Sequence, residues 1–159
     1  MELHSPSFEH SGLIPVRHTC DGANTSPPLS WSGVPAGTRS LALMVEDPDA
    51  PDPAAPKRIW VHWLLYNLPP GLRGLDEGGT RSPLPDGASE GLNDSNALGY
   101  EGPCPPIGRH RYFHTLFALD AELPFLGALA RRRDLEAAME GHVLAKAGLM
   151  GTYARSPAS

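Results

Sequence analysis

No stretch of this 159-residue chain approaches the roughly 18 consecutive apolar residues that a membrane-spanning helix requires, so stable membrane insertion is not expected. Positive charge is also scarce. The chain carries 13 Lys and Arg against 18 Asp and Glu, for a formal net charge of −5 and a pI near 5.7. A nucleic-acid binder should show a basic face, and that class is set aside. The one dense basic run, Arg131-Arg132-Arg133, reads as a solvated helix start rather than a polyanion patch. Cysteine is limited to Cys20 and Cys104. The start, Met1 to His10, is polar and contains Pro6, unlike a secretory leader, which predicts a cytoplasmic location. The two cysteines could pair, but in a reducing compartment free thiols are the expectation.

What remains describes one domain spanning residues 1–159, with no internal repeat and no composition break. A chain of this length buries roughly 68–70% of its unfolded surface, enough for one core without covalent staples. The 18 prolines and 17 glycines imply many turns and few long helices. Leu41 to Val45 reads as a buried strand, Ile59 to Leu68 as a longer one rich in aromatic and β-branched residues, and Arg109 to Asp120 as a third. Leu29-Ser30-Trp31 and Leu149 to Tyr153 are shorter candidates. Pro/Gly-rich connections run over Pro48 to Pro56, Pro69 to Gly79 and Pro83 to Gly108. The last is long for a structureless loop, and such loops are usually functional or partly ordered. Asp134 to Lys146 shows helical spacing, with Asp134 placed to cap its start and Gly148 to end it; Gly141 weakens the middle. The sum is mainly β, an antiparallel sandwich with a few short helices.

Alternation along strands decides which side chains meet. It places Trp60, His62, Leu64 and Tyr66 on one face of their strand, with Trp63 opposite in the core. It places His110, Tyr112, His114 and Leu116 on one face of theirs. If the two faces meet, His62, His110 and Tyr112 converge, with Asp47 at a strand end beside them. Histidine and tyrosine donors suit a phosphate or sulfate. Asp47 would repel an anion, so its expected role is to accept a hydrogen bond from a histidine and fix its tautomer. Pro48, Pro51, Pro103, Pro105 and Pro106 stiffen the rim and lower the ordering cost of binding.

Asp47-Pro48-Asp49-Ala50-Pro51 with Trp60-x-His62, and Gly102-Pro103-Cys104-Pro105-Pro106 with Gly108-x-His110-Arg111-Tyr112, resemble both signature regions of the phosphatidylethanolamine-binding protein family. Thr19 to Gly22, Ser26 to Trp31 and Gly141 to Tyr153 resemble its bacterial, Raf-kinase-inhibitor-like branch, so the likeness covers nearly the whole chain. The resemblance implies a β-sandwich with Greek-key connections and an anion pocket on Asp47, His62, His110 and Tyr112. It implies walls shaped by Pro51, Trp60 and Pro106, with a cis bond before Pro51. It also implies binding of phosphorylated head groups and inhibition of kinases or proteases, without an established enzymatic activity.

Three departures from the family pattern stand out. His114 replaces an aromatic residue and is a candidate extra donor whose titration would weaken anion binding as pH rises; the alternative is an aromatic-sized filler. Ser95-Asn96 replaces a Phe-Gly pair, which touches the loop conformation rather than the pocket. The chain stops soon after Arg155, so the kinase partner of longer animal relatives is not carried over. His142 reads as structural.

The leading expectation is a non-enzymatic, cytoplasmic protein that binds a small anionic or phosphorylated ligand, needs no cofactor or metal, and acts as a regulator or inhibitor, with a homodimer reasonable. No deep apolar tunnel is legible, so head-group recognition is expected rather than capture of lipid tails. Two alternatives stand beside it. One is a hydrolase built on Asp47, His62 and His110, either as a two-His, one-carboxylate metal site or as a metal-free general base. The other is a protease inhibitor acting through its rim loops.

Overall fold

The computed structural model describes residues 1–78 and 84–155. Gly79 and Pro83, which bound two of the expected connections, lie outside the described residues. Two antiparallel sheets form the body. The smaller joins β1 (Glu2–His4), β2 (Leu29–Ser32) and β5 (Gly74–Leu75), with β2 central. The larger runs β6 (Ser89–Glu90), β4 (Arg58–Leu68), β3 (Ser40–Ala50), β7 (His110–Leu119) and β8 (Val143–Tyr153) in spatial order. The expected β class and sandwich therefore hold. Among the described residues the helical content is one α-helix, α1 (Arg132–Met139), and one 3-10 turn at Val16–His18.

β3 has no polar residue from Leu41 to Val45 because both its faces are covered. One face packs Leu41, Leu43 and Val45 with Trp63, Leu65, Tyr112 and Leu116 against Leu3, Leu29 and Trp31 of the smaller sheet. The other packs Ala42 and Met44 with Val61, Leu64 and Tyr66 under Leu135 and Met139 of α1. At roughly 25 cal/mol per Å² of buried apolar surface, these two layers supply the main drive for folding.

Strict alternation fails on β4. Val45 pairs with Trp63 and Glu46 with Val61, so His62 is the extra residue of a β-bulge. The bulge shifts the phase of the strand. Trp63 and Leu65 join the layer facing the smaller sheet, while Leu64 and Tyr66 face α1. The expected grouping of Leu64 and Tyr66 with His62 is corrected accordingly.

The expected helix to Lys146 is also corrected. α1 ends at Met139; Glu140 takes an extended ψ of 126° and Gly141 a φ of +81°, a conformation that favours glycine. Val143 to Lys146 then pair with β7. Asp134 sits inside the first turn, where its carboxylate accepts from the Arg131 N–H at 2.8 Å.

The free-thiol expectation is overturned. Cys20 and Cys104 form a disulfide, with Cα atoms 5.4 Å apart across a sequence separation of 84. Hydrogen bonds bring their loops together: the Cys20 N–H donates to the Pro103 carbonyl at 3.1 Å, and the Tyr100 hydroxyl donates to the His18 carbonyl at 2.7 Å. Gly102 permits this approach, since a Cβ there would lie 2.2 Å from the His18 oxygen.

Candidate functional site

The ends of β3, β4 and β7 and the loop over residues 101–106 enclose a cleft of about 250 Å³. Asp47, Pro51, Trp60, His62, Pro106, His110 and Tyr112 all line it. These residues, far apart in numbering, meet where the strand faces and the two Pro-rich loops were expected to converge.

Asp47 is buried, and both its carboxylate oxygens are used. Oδ1 accepts from the Asp49 N–H at 2.7 Å, and Oδ2 lies 2.6 Å from His110 Nδ1. His110 Nε2 lies 2.8 Å from the Ile107 carbonyl. Both partners of His110 are hydrogen-bond acceptors, so both ring nitrogens are engaged within the protein. Asp47 thus takes its expected role as the acceptor that orients a histidine. The expectation that His110 offers an N–H to an anion is corrected, because its donors are spent within the protein. His110 presents no free ring nitrogen as a metal ligand, since both are hydrogen-bonded within the protein. Among the described residues, no group of three or more His, Cys, Asp and Glu side chains is arranged to hold a metal ion.

Asp49 anchors the neighbouring turn. It accepts from the Arg111 guanidinium through both oxygens at 2.9 Å and from the Arg111 backbone N–H at 2.9 Å. The Arg111 hydrogen bonds hold its carboxyl below the ordinary range. The Ala50–Pro51 bond is cis, as the resemblance implies.

His62 is 4% exposed. Its Nδ1 donates to the Glu101 carbonyl at 2.5 Å, while the Glu101 N–H donates back to the His62 carbonyl at 3.0 Å. This reciprocal pair fixes the tautomer and leaves Nε2 a lone pair, with no partner among the described residues. Burial, the largest influence, pushes the imidazole below its ordinary range, so the neutral form is favoured. The Tyr112 hydroxyl is likewise buried and unpartnered among the described residues. Burial raises its ionisation far above neutral pH, so it remains a phenol and a donor. The His62 and Tyr112 rings meet edge to face at 5.2 Å.

Trp60 is half-buried at the mouth, with the Arg58 guanidinium 4.7 Å from its ring centroid. His114 is not part of the cleft wall. It lies on the same face of β7 as Tyr112, but two residues further along that face is core, and its ring packs 5.5 Å from Phe8. Burial lowers its pKa to about 4.

Sequence reasoning missed several wall residues: Ser95, Glu101 and Cys104. Ser95 stands out in the sequence as a departure from the family pattern, and the structure places it in the cleft wall as well as in the loop. Glu101 acts through its backbone, which its residue type does not signal.

Residues 4–154 match the profile described as phosphatidylethanolamine-binding protein. A UPF0098 protein of Methanothermobacter thermautotrophicus is 51% identical over 156 residues, covering 98% of this chain and 99% of the relative. The crystal structure of the phosphatidylethanolamine-binding protein homologue CT736 from Chlamydia trachomatis superposes with a TM-score of 0.88 at 41% identity, covering 98% of this chain and 97% of that one. The structure of E. coli YbcL, described as a member of the mammalian PEBP family, gives a TM-score of 0.88 at 31% identity, with 98% of each chain covered. The chain belongs to the phosphatidylethanolamine-binding protein family.

Proposed function

We propose that this protein binds a small phosphate-bearing ligand in the cleft and that its regulatory or inhibitory action follows from that binding. The observation that carries the reading is the pair of buried, unpartnered polar atoms, His62 Nε2 and the Tyr112 hydroxyl, in the wall of one cleft. Buried polar groups are rarely left unsatisfied, and such a pair in a cleft marks a place for a polar guest. The volume of about 250 Å³ suits a head group rather than a whole lipid. The family name, and the likeness to a phosphatidylethanolamine-binding protein homologue, point the same way. Trp60 and the rim prolines supply the apolar collar against which an organic substituent would rest.

The disulfide weighs against the reducing cytoplasm expected from the polar start, since such bonds persist mainly in oxidising surroundings. Titration with inorganic phosphate, followed by NMR, tests the binding. Shifts centred on His62 and Tyr112, weakened roughly tenfold in Tyr112→Phe by loss of about 1.4 kcal/mol, are expected. Shifts centred on another surface would remove the reading.

A further inference from the structure

Among the buried histidine and tyrosine side chains of the cleft, free donors are few. Both ring nitrogens of His110 are engaged by Asp47 and Ile107, and the Nδ1–H of His62 is engaged by Glu101. The His62 ring nitrogen left over, Nε2, carries a lone pair, and the unpartnered hydroxyl of Tyr112, whose ring meets that of His62 edge to face at 5.2 Å, is a donor. A sulfate ion or a phosphodiester presents only acceptor oxygens. Such an oxygen set against Nε2 opposes two acceptors and leaves the nitrogen unpaired. A phosphomonoester monoanion differs, because one of its oxygens carries a proton.

We infer that His62 Nε2 accepts a hydrogen bond from a protonated phosphate oxygen, so that the cleft selects the O–H-bearing monoanion of a phosphomonoester over proton-free oxyanions. The inference rests on the phosphate-ligand reading above and specifies the proton state and ester class of the ligand. The Tyr112 O–H donates to an ionised oxygen of the same group, giving one acceptor and one donor for two unlike oxygens. The other route, protonation of His62 by the solvent, is opposed by burial and by the neighbouring His110. The groups that face the ring or act on it are Asp47 on β3; Asp94 and Glu101 on the loop; and His110, Tyr112 and His114 on β7. Asp47 and Asp94 favour a charged ring, yet burial outweighs them. The Nδ1–H is also already committed, so the ring cannot shift its proton to Nε2 without losing the Glu101 carbonyl.

Methyl phosphate, dimethyl phosphate and sulfate, titrated into the full chain at pH 5.5 and 7.5, test this, with ¹⁵N shifts of the His62 ring as a second readout. Methyl phosphate is expected to bind at least tenfold more tightly than either proton-free probe at pH 5.5. Its Kd should rise about tenfold per pH unit above its second ionisation near pH 6. Nε2 should keep its unprotonated signature in the complex, and His62→Phe should abolish the preference. Should that variant misfold, the wild-type series and ring shifts decide alone. If sulfate or dimethyl phosphate binds within twofold of methyl phosphate, with Nε2 protonated, the inference is overturned while the phosphate-ligand reading stands. If no probe perturbs His62 or Tyr112, that reading falls as well.

Discussion

Asp47 and His110 are locked to each other at 2.6 Å, 63 residues apart in sequence, with neither side chain more than 5% exposed. A buried pair of this kind is weak evidence for net stability, but breaking it leaves an uncompensated partner. It also closes the deep end of the cleft, so its integrity bears on fold and function together.

Removing the carboxylate separates the two contributions. Asp47→Ala is expected to cost about 3–5 kcal/mol, because His110 then faces an empty acceptor position. Asp47→Asn retains an acceptor for Nδ1–H and should cost less. Urea unfolding of both variants, combined with His110→Phe in a double-mutant cycle, measures the coupling; additive effects would show that the pair does not act as a unit.

His114 contributes to the acid limb of stability, together with the buried His62 and His18. Its folded pKa of about 4 lies below the ordinary histidine value of 6.5, so the unfolded chain binds the extra proton first. The stability it contributes is full above pH 6.5 and declines as pH falls toward 4, by about 3 kcal/mol in all. His114→Phe should flatten that decline in denaturation midpoints measured between pH 4 and 7. The same variant should leave the pH profile of phosphate affinity unchanged, since the ring does not line the cleft.

A second, lower acid step belongs to Asp49. Its folded pKa is depressed below 3.8 by Arg111. The contribution is therefore present above pH 3.8 and disappears as pH falls through the depressed value. Arg111→Gln should weaken this step without moving the His114 step. Melting curves from pH 2 to 5 distinguish them; an unaltered low-pH slope in the variant would assign the step to another carboxyl.

The Cys20–Cys104 bond closes a large loop, and cross-links of this kind typically stabilise by about 2–4 kcal/mol. The Cys20→Ser, Cys104→Ser double variant should lose that amount in guanidinium titrations. Mass spectrometry of the purified chain under non-reducing conditions should find no thiol available to alkylation, and two reactive thiols in the unreduced protein would contradict the bond.

Much of the site could be read from residue order because the two strands that carry it are long and strongly patterned. Trp60-x-His62 and His110-x-Tyr112 each put their pair on one face, and the cleft confirms that placement. The phase beyond His62 could not be read, since a bulge is a property of pairing between β3 and β4 and leaves no mark in β4 alone. The helix boundary failed for a related reason. Val143-Leu144-Ala145 fits a helical stripe and a strand equally well, and its partners on β7 decide the matter. Which histidine nitrogens remain free was likewise invisible, because the carbonyls of Glu101 and Ile107 hold the answer. The Cys20–Cys104 pairing is equally invisible in residue order, because it depends on a loop approach across 84 residues.

The covalent bridge also alters what a protease could accomplish. Residues 20 and 104 bound an arc that includes β2 and β5 of the smaller sheet and the central hairpin of the larger one. A single cut anywhere inside that arc yields two pieces that stay tethered, so a nicked molecule would run intact on a gel until a reductant was added.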